Sequence, residues 1–238
     1  MRGHPSEAKA QTPPLENAQR FSGFELICVG ASWGGLEAIG RLLSDVPDEI
    51  DVPVVVAQHR HVTSPPGALA ELLQLRIKRP VQDVEDKMPI EPRNVYLAPP
   101  DYHLLVQRGS FALSTDARVQ FARPSIDVLF ESAAYAYGRH LIGIILTGAN
   151  QDGAAGLAVV KQRGGVAVIQ DPREAAKRTM PDAAIAATAA DAVLPLEEIG
   201  RFVFGVCVNQ TAEPSVRDTA PVEGVWGNRE VPPTGAPT

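Results

Sequence analysis

The sequence predicts an α/β protein, built as a three-layer, doubly wound and mostly parallel sheet with a small antiparallel insertion. Three observations predict it. Short β-branched runs alternate with segments of helical spacing along residues 25–194. Runs such as Val54-Val55-Val56 and Ile144-Ile145-Leu146 are apolar at every position, as strands covered on both faces must be. One stretch, residues 80–115, breaks the rhythm with short strands separated by Pro and Gly turns.

Taken in order, Glu25 to Val29 reads as a strand, Gly34 to Leu43 as a helix and Val52 to Ala57 as a second strand. Ala68 to Leu75 is helical in spacing. The antiparallel insertion follows, with strands around Val81, Val95 to Ala98, Leu104 to Gln107 and Phe111 to Ser114. After Pro124 come a helix over Ile126 to Tyr137, a buried strand over Leu141 to Leu146, a helix over Ala154 to Arg163 and a strand over Val166 to Gln170. A helix over Asp182 to Ala189 and a short strand over Ala192 to Leu194 complete the core.

The chain has 238 residues and a formal charge of -6, so it lacks the basic field that nucleic-acid binding needs. Residues 1–22 and 209–238 are dense in Pro and polar residues without apolar periodicity, and are expected to be disordered tails around one folded domain at 23–208. Trp226 is a lone aromatic in the second tail. Cys28 and Cys207, the two cysteines, each sit in an apolar run and read as buried reduced thiols. No apolar stretch nears about 18 residues and no signal-peptide core opens the chain, so a cytoplasmic protein without membrane insertion is expected. A monomer free of metal and cofactor is also expected.

In parallel sheets sites form at the carboxyl ends of strands, and three strand-to-helix loops there carry reactive side chains. The first is Gly30-Ala31-Ser32-Trp33-Gly34-Gly35. As a dinucleotide fingerprint it is defective, because Ser32 replaces the middle glycine and no acidic residue ends the second strand. As a G-x-S-x-G turn it exposes a hydroxyl, and as a simple helix start it makes Ser32 an N-cap. The second loop delivers His59 from a central strand. Imidazole is a suitable base for a serine hydroxyl, while a structural role or an H-x-H metal pair with His61 are the alternatives. The third, Thr147 to Gly153, carries Asp152, either a carboxylate that orients the imidazole or an N-cap of the following helix.

Six ordered motifs carry a resemblance to the catalytic domain of chemotaxis-type protein-glutamate methylesterases, the CheB family. They are VGASWGG (Val29 to Gly35), Gln58-His59, NVYLAPPDYHLLV (Asn94 to Val106), RPSIDVLFESAA (Arg123 to Ala134), LTGANQDGAAG (Leu146 to Gly156) and TMPDAAI (Thr179 to Ile185). The resemblance implies a Ser, His, Asp triad, which falls on Ser32, His59 and Asp152. It implies an oxyanion contact at the Ala149 N–H; a second is expected at the start of the first helix near Gly34, and Met180 with Pro181 either walls the pocket or is structural. The implied reaction is hydrolysis of γ-glutamyl methyl esters on chemoreceptor signalling helices, with glutamine deamidation at such sites. Where the family often has Met-Pro after Gln58-His59, this chain has Arg60-His61, and Ala149-Asn150 stand where Met and Gly are common. Trp33 replaces a small or polar residue. The short segment before the first strand marks a stand-alone form without a receiver domain, one that needs no phosphorylation. A nucleotide-binding α/β module using the Gly30 to Gly35 loop, or a catalytically silent receptor-binding scaffold, are the rival readings.

Overall fold

The computed structural model describes residues 23–47 and 49–208, so the expectations for both tails and Trp226 lie outside the described residues. Seven parallel strands form one sheet: β1 (Leu26–Ala31), β2 (Val54–Gln58), β3 (Val81–Asp83), β4 (Val95–Leu97), β7 (Leu141–Ile145), β8 (Val166–Gln170) and β9 (Ala192–Leu194). Their order is β3-β4-β2-β1-β7-β8-β9. β5 (His103–Gln107) and β6 (Ser110–Ser114) form a separate antiparallel hairpin.

Strand alternation builds two cores from one sheet. Ile27, Val29 and Ala31 face a core shared with α1 (Gly35–Asp45), α2 (Ala68–Gln74) and α6 (Leu196–Val208). Leu26 and Cys28 face the other, filled by α3 (Ile126–Tyr137), α4 (Ala154–Gln162), α5 (Thr179–Ala187) and the β5–β6 hairpin. Every residue of β1, β2, β7 and β8 is buried, which explains why these strands read as unbroken apolar runs.

Three expectations are corrected. β3 and β4 belong to the parallel sheet, with Val54 and Val81 both paired to Val95, so only β5 and β6 are antiparallel. All three β4 residues are buried, a property of an inner strand that so short a run does not reveal. α6 was unforeseen, since Gly200, Gly205 and its Val and Phe residues disfavour a helix. Packing overrides that propensity: a Cβ on Gly200 would lie 2.8 Å from the Asp45 side chain, so its bareness lets α6 cross the end of α1. α5 starts at Thr179 rather than Asp182, because Pro181 sits in its first turn, where its missing N–H costs nothing.

Candidate active site

The chain leaves β1 toward β2 on one side and returns later to β7 on the other, so the sheet order reverses at β1. A crevice opens at the carboxyl end of such a switch point. Ser32, His59 and Asp152 follow β1, β2 and β7, three neighbouring strands. Backbone bonds fix the loops to one another: Ser32 N–H donates to the Thr147 carbonyl at 3.0 Å and His59 N–H to that of Ala31 at 3.1 Å. Gln58 adds a staple, its Nε2 donating to the carbonyls of both Ser32 (2.7 Å) and His59 (3.1 Å).

His59 Nε2 lies 2.7 Å from Asp152 Oδ2. The Asp152 side chain is wholly buried, a position a carboxylate tolerates only when its oxygens are satisfied. They are. Oδ2 also accepts from Ile126 N–H (2.7 Å), while Oδ1 accepts from Ser125 Oγ (2.8 Å) and Asp127 N–H (3.1 Å). Asp152 therefore caps a helix, but α3 rather than the one that follows it, whose N-cap is Gly153. Asp127 returns the arrangement, its Oδ1 accepting from Gly153 (2.9 Å) and Gly156 (2.7 Å) at the start of α4, and its Oδ2 from Gln120 Nε2 (2.9 Å).

These contacts set the two carboxylates apart. Burial opposes the Asp152 charge, but the His59 hydrogen bond and the α3 N–H groups outweigh it and hold the carboxyl below the usual range. Asp127 is raised, chiefly by burial and further by the Asp152 charge. With Nε2 on the carboxylate, Nδ1 is the ring nitrogen left for other work. Asn150 Nδ2 lies 3.4 Å from it, and Asn150 Oδ1 accepts the Asp152 N–H at 3.3 Å, which fixes the carboxamide orientation.

Ser32 is half-buried and is not a helix cap. That position belongs to Gly34, at φ 79°, where a Cβ would sit 2.7 Å from the Ala176 methyl; Ser32 Oγ makes no hydrogen bond among the described residues. The Gly34 and Ala149 N–H groups likewise donate to no other described residue, and both residues are exposed. Met180 is fully buried, its side chain packed on Gly148, and its N–H donates to the Gly148 carbonyl at 3.0 Å. It supports the third loop from below. Trp33 is largely exposed, with Lys177 Nζ 5.9 Å from its ring centroid, and Thr147 Oγ1 donates to its carbonyl at 2.9 Å.

The remaining candidates fall away from the reacting centre. His61 is exposed, with Nδ1 on the Thr63 hydroxyl at 2.8 Å. His103 is buried in a structural role, bridging the Ala117 carbonyl (3.0 Å) and the Ser125 N–H (3.2 Å). Burial pushes the Cys28 thiol far up and the Cys207 thiol up to about 11, so neither is a ready nucleophile. In the first loop, the Gln58 carboxamide packs against Gly35, whose N–H donates to the Ser32 carbonyl at 2.9 Å; the loop's glycine space is filled from within. The sequence reading missed Gln58, Ser125 and Asp127 as elements of the site.

Residues 27–203 match the family model described as CheB methylesterase. The chain belongs to the CheB methylesterase family. A putative protein-glutamate methylesterase/protein-glutamine glutaminase of Leptospira interrogans is 45% identical over 180 residues, covering 75% of this chain and 93% of that protein. A protein-glutamate methylesterase/protein-glutamine glutaminase of Hahella chejuensis is 42% identical over 188 residues, covering 75% of this chain and 50% of the relative. The solved CheB methylesterase catalytic domain of Thermotoga maritima superposes with a TM-score of 0.71 at 31% identity, covering 77% of this chain and 99% of that one. The fold is thus that of a CheB catalytic domain, and the nucleotide-binding reading finds no support. Among the described residues no helix is long and apolar enough to cross a membrane.

Proposed function

We propose that this CheB-family chain hydrolyses γ-glutamyl methyl esters on chemoreceptor signalling helices to glutamate and methanol, and deamidates glutamine at the same kind of site. The observation that carries the site assignment is the 2.7 Å contact of His59 Nε2 with a fully buried, ionised Asp152. It fixes the imidazole with its proton on Nε2 and a lone pair on Nδ1.

Ser32 Oγ attacks the ester carbonyl carbon as Nδ1 takes its proton. The carbonyl π pair moves to oxygen, and the resulting oxyanion is held by the undonated N–H groups of Ala149 and Gly34, each such donor being worth about 10²–10³ in rate. Collapse of the tetrahedral species breaks the C–O bond to the methoxy group, which leaves as methanol with the Nδ1 proton. Water then attacks the glutamyl-serine ester by the same path and restores Ser32. With glutamine, ammonia replaces methanol as the leaving group. Asp152 stabilises the imidazolium in both halves without accepting the proton. The test is methanol release from methylated receptor fragments by the chain and by its Ser32→Ala form; release that survives the substitution would refute the assignment.

A further inference from the structure

A cavity of about 170 Å³ adjoins His59 and is lined by Arg60, Arg118, Arg123, Phe121 and Asn150. Three arginines contribute to that lining, in a chain whose net charge is -6. Two carboxylates answer them. Asp83 takes Arg60 at 3.1 Å, and Asp101 is shared between Arg123 at 2.7 Å and Arg118 at 3.6 Å. Arg123 is fully engaged, since its Nη1 also donates to the Thr115 and Asp116 carbonyls. Arg118 is not: half its side chain is exposed and its ion pair is long. Arg60, nearly buried, keeps Nε and Nη1 without an acceptor. Those Arg60 atoms are closed off from solvent, so Arg118 is the guanidinium that an anion in the cavity can reach.

The lip of this cavity is built, too. Val119 and Ala122 exchange both backbone hydrogen bonds (3.2 and 2.8 Å), closing a two-residue turn. Its central residues, Gln120 (φ 47°) and Phe121 (φ 64°), are both left-handed, a conformation unfavourable for a residue as bulky as Phe. Gln120 Nε2 ties the turn to Asp127, and Phe121 is left 96% exposed. A strained turn that holds an aromatic ring in water beside a catalytic cleft has the character of a contact residue.

We infer that the cavity seats a glutamate carboxylate of the substrate helix next to the ester under attack, with Phe121 packing on the apolar flank of that helix. The inference rests on the proposed esterase reading and names the flank that reading leaves open. Each ester removed turns a neutral side chain into glutamate, so a segment carrying several such sites grows more acidic as it is processed. A cationic subsite beside His59 fits that chemistry.

The test uses the full chain and helical receptor peptides with one γ-methyl ester, flanked by glutamate or by glutamine, together with a small soluble γ-methyl glutamate ester. The chain should prefer the glutamate-flanked peptide by roughly tenfold in kcat/KM. Arg118→Gln should erase that preference, and Phe121→Ala should lower kcat/KM about tenfold on both peptides through KM. Both variants should hydrolyse the small ester at the unaltered rate. Equal use of the two peptides, or a preference that survives Arg118→Gln, would overturn the inference while leaving the esterase reading intact. Failure to release methanol from any of the three substrates would overturn the esterase reading. Binding of the unesterified acidic peptide decides the subsite independently: affinity unchanged by both substitutions would refute it.

Discussion

Asp152 serves two masters through four hydrogen bonds, and its chemistry follows from that division. Each oxygen accepts twice, from His59 and Ile126 on one side and from Ser125 and Asp127 on the other. An amide in its place would turn one of those acceptors into a donor aimed at donors. Asp152→Asn should therefore cut kcat by about 10⁴-fold through loss of the imidazole orientation. It should also lower stability by about 1–3 kcal/mol, because buried N–H groups lose their acceptor; steady-state kinetics and urea melts read the two effects. Asp127 separates positioning from charge. Asp127→Ala orphans the Gly153 and Gly156 N–H groups and should cost about 1–3 kcal/mol for each. Asp127→Asn keeps Oδ1 as their acceptor once Gln120 turns its carbonyl inward, and should stay folded with activity within a few-fold. Ser32→Ala and His59→Ala should each remove activity by at least about 10⁴-fold without unfolding, as members of one catalytic unit. Full activity in His59→Ala would refute the base assignment.

At the scale of elements, what the sequence displayed was whatever a single segment determines. β1, β2, β7 and β8 were legible because burial on both faces writes a continuous apolar run, and α3 was legible from its helical spacing after Pro124. The three reactive loops could be located because each ends such a strand. The cross-capping of α3 and α4 could not: Asp152 meets α3 across 26 positions of sequence, and the local rule for an Asp before a helix assigns it to the wrong helix. β3 and β4 were misplaced because three-residue strands carry too little pattern to show parallel partners. The α4 start offers a test of this interlock. Gly153 has φ 96°, and a Cβ there would lie 2.6 Å from both Ile126 and Ile145. Gly153→Ala should thus cost about 2–4 kcal/mol from strain and overpacking together. Its activity should fall with it, since Asp152 is the adjacent residue; a variant as stable and active as the parent would show that the loop adapts.

For the whole molecule, the sheet divides two apolar cores, and the paired carboxylates lie where α3 and α4 start on the second of them. Global stability should consequently carry two carboxylate signatures of opposite sign. Asp152 has a lowered folded pKa, so its contribution is fully present above the ordinary aspartate value of about 3.9 and is lost as the pH falls through the folded value. Asp127 has a raised folded pKa, so the folded state binds its proton more tightly than the unfolded chain does. Its ionisation costs stability above the folded value, and the cost disappears as the pH falls toward and below about 4. Asp127→Asn should therefore compare more favourably with the parent at pH 7 than at pH 4, while Asp152→Asn should compare worse at pH 7 than at pH 3, where the parent has begun to lose its own advantage. Urea unfolding midpoints across pH 3 to 7, followed by far-ultraviolet circular dichroism with m-values held common, measure both differences. A parent-to-variant gap independent of pH for Asp127→Asn would mean that Asp127 is no harder to ionise in the fold than in the open chain, and that burial beside Asp152 does not govern it.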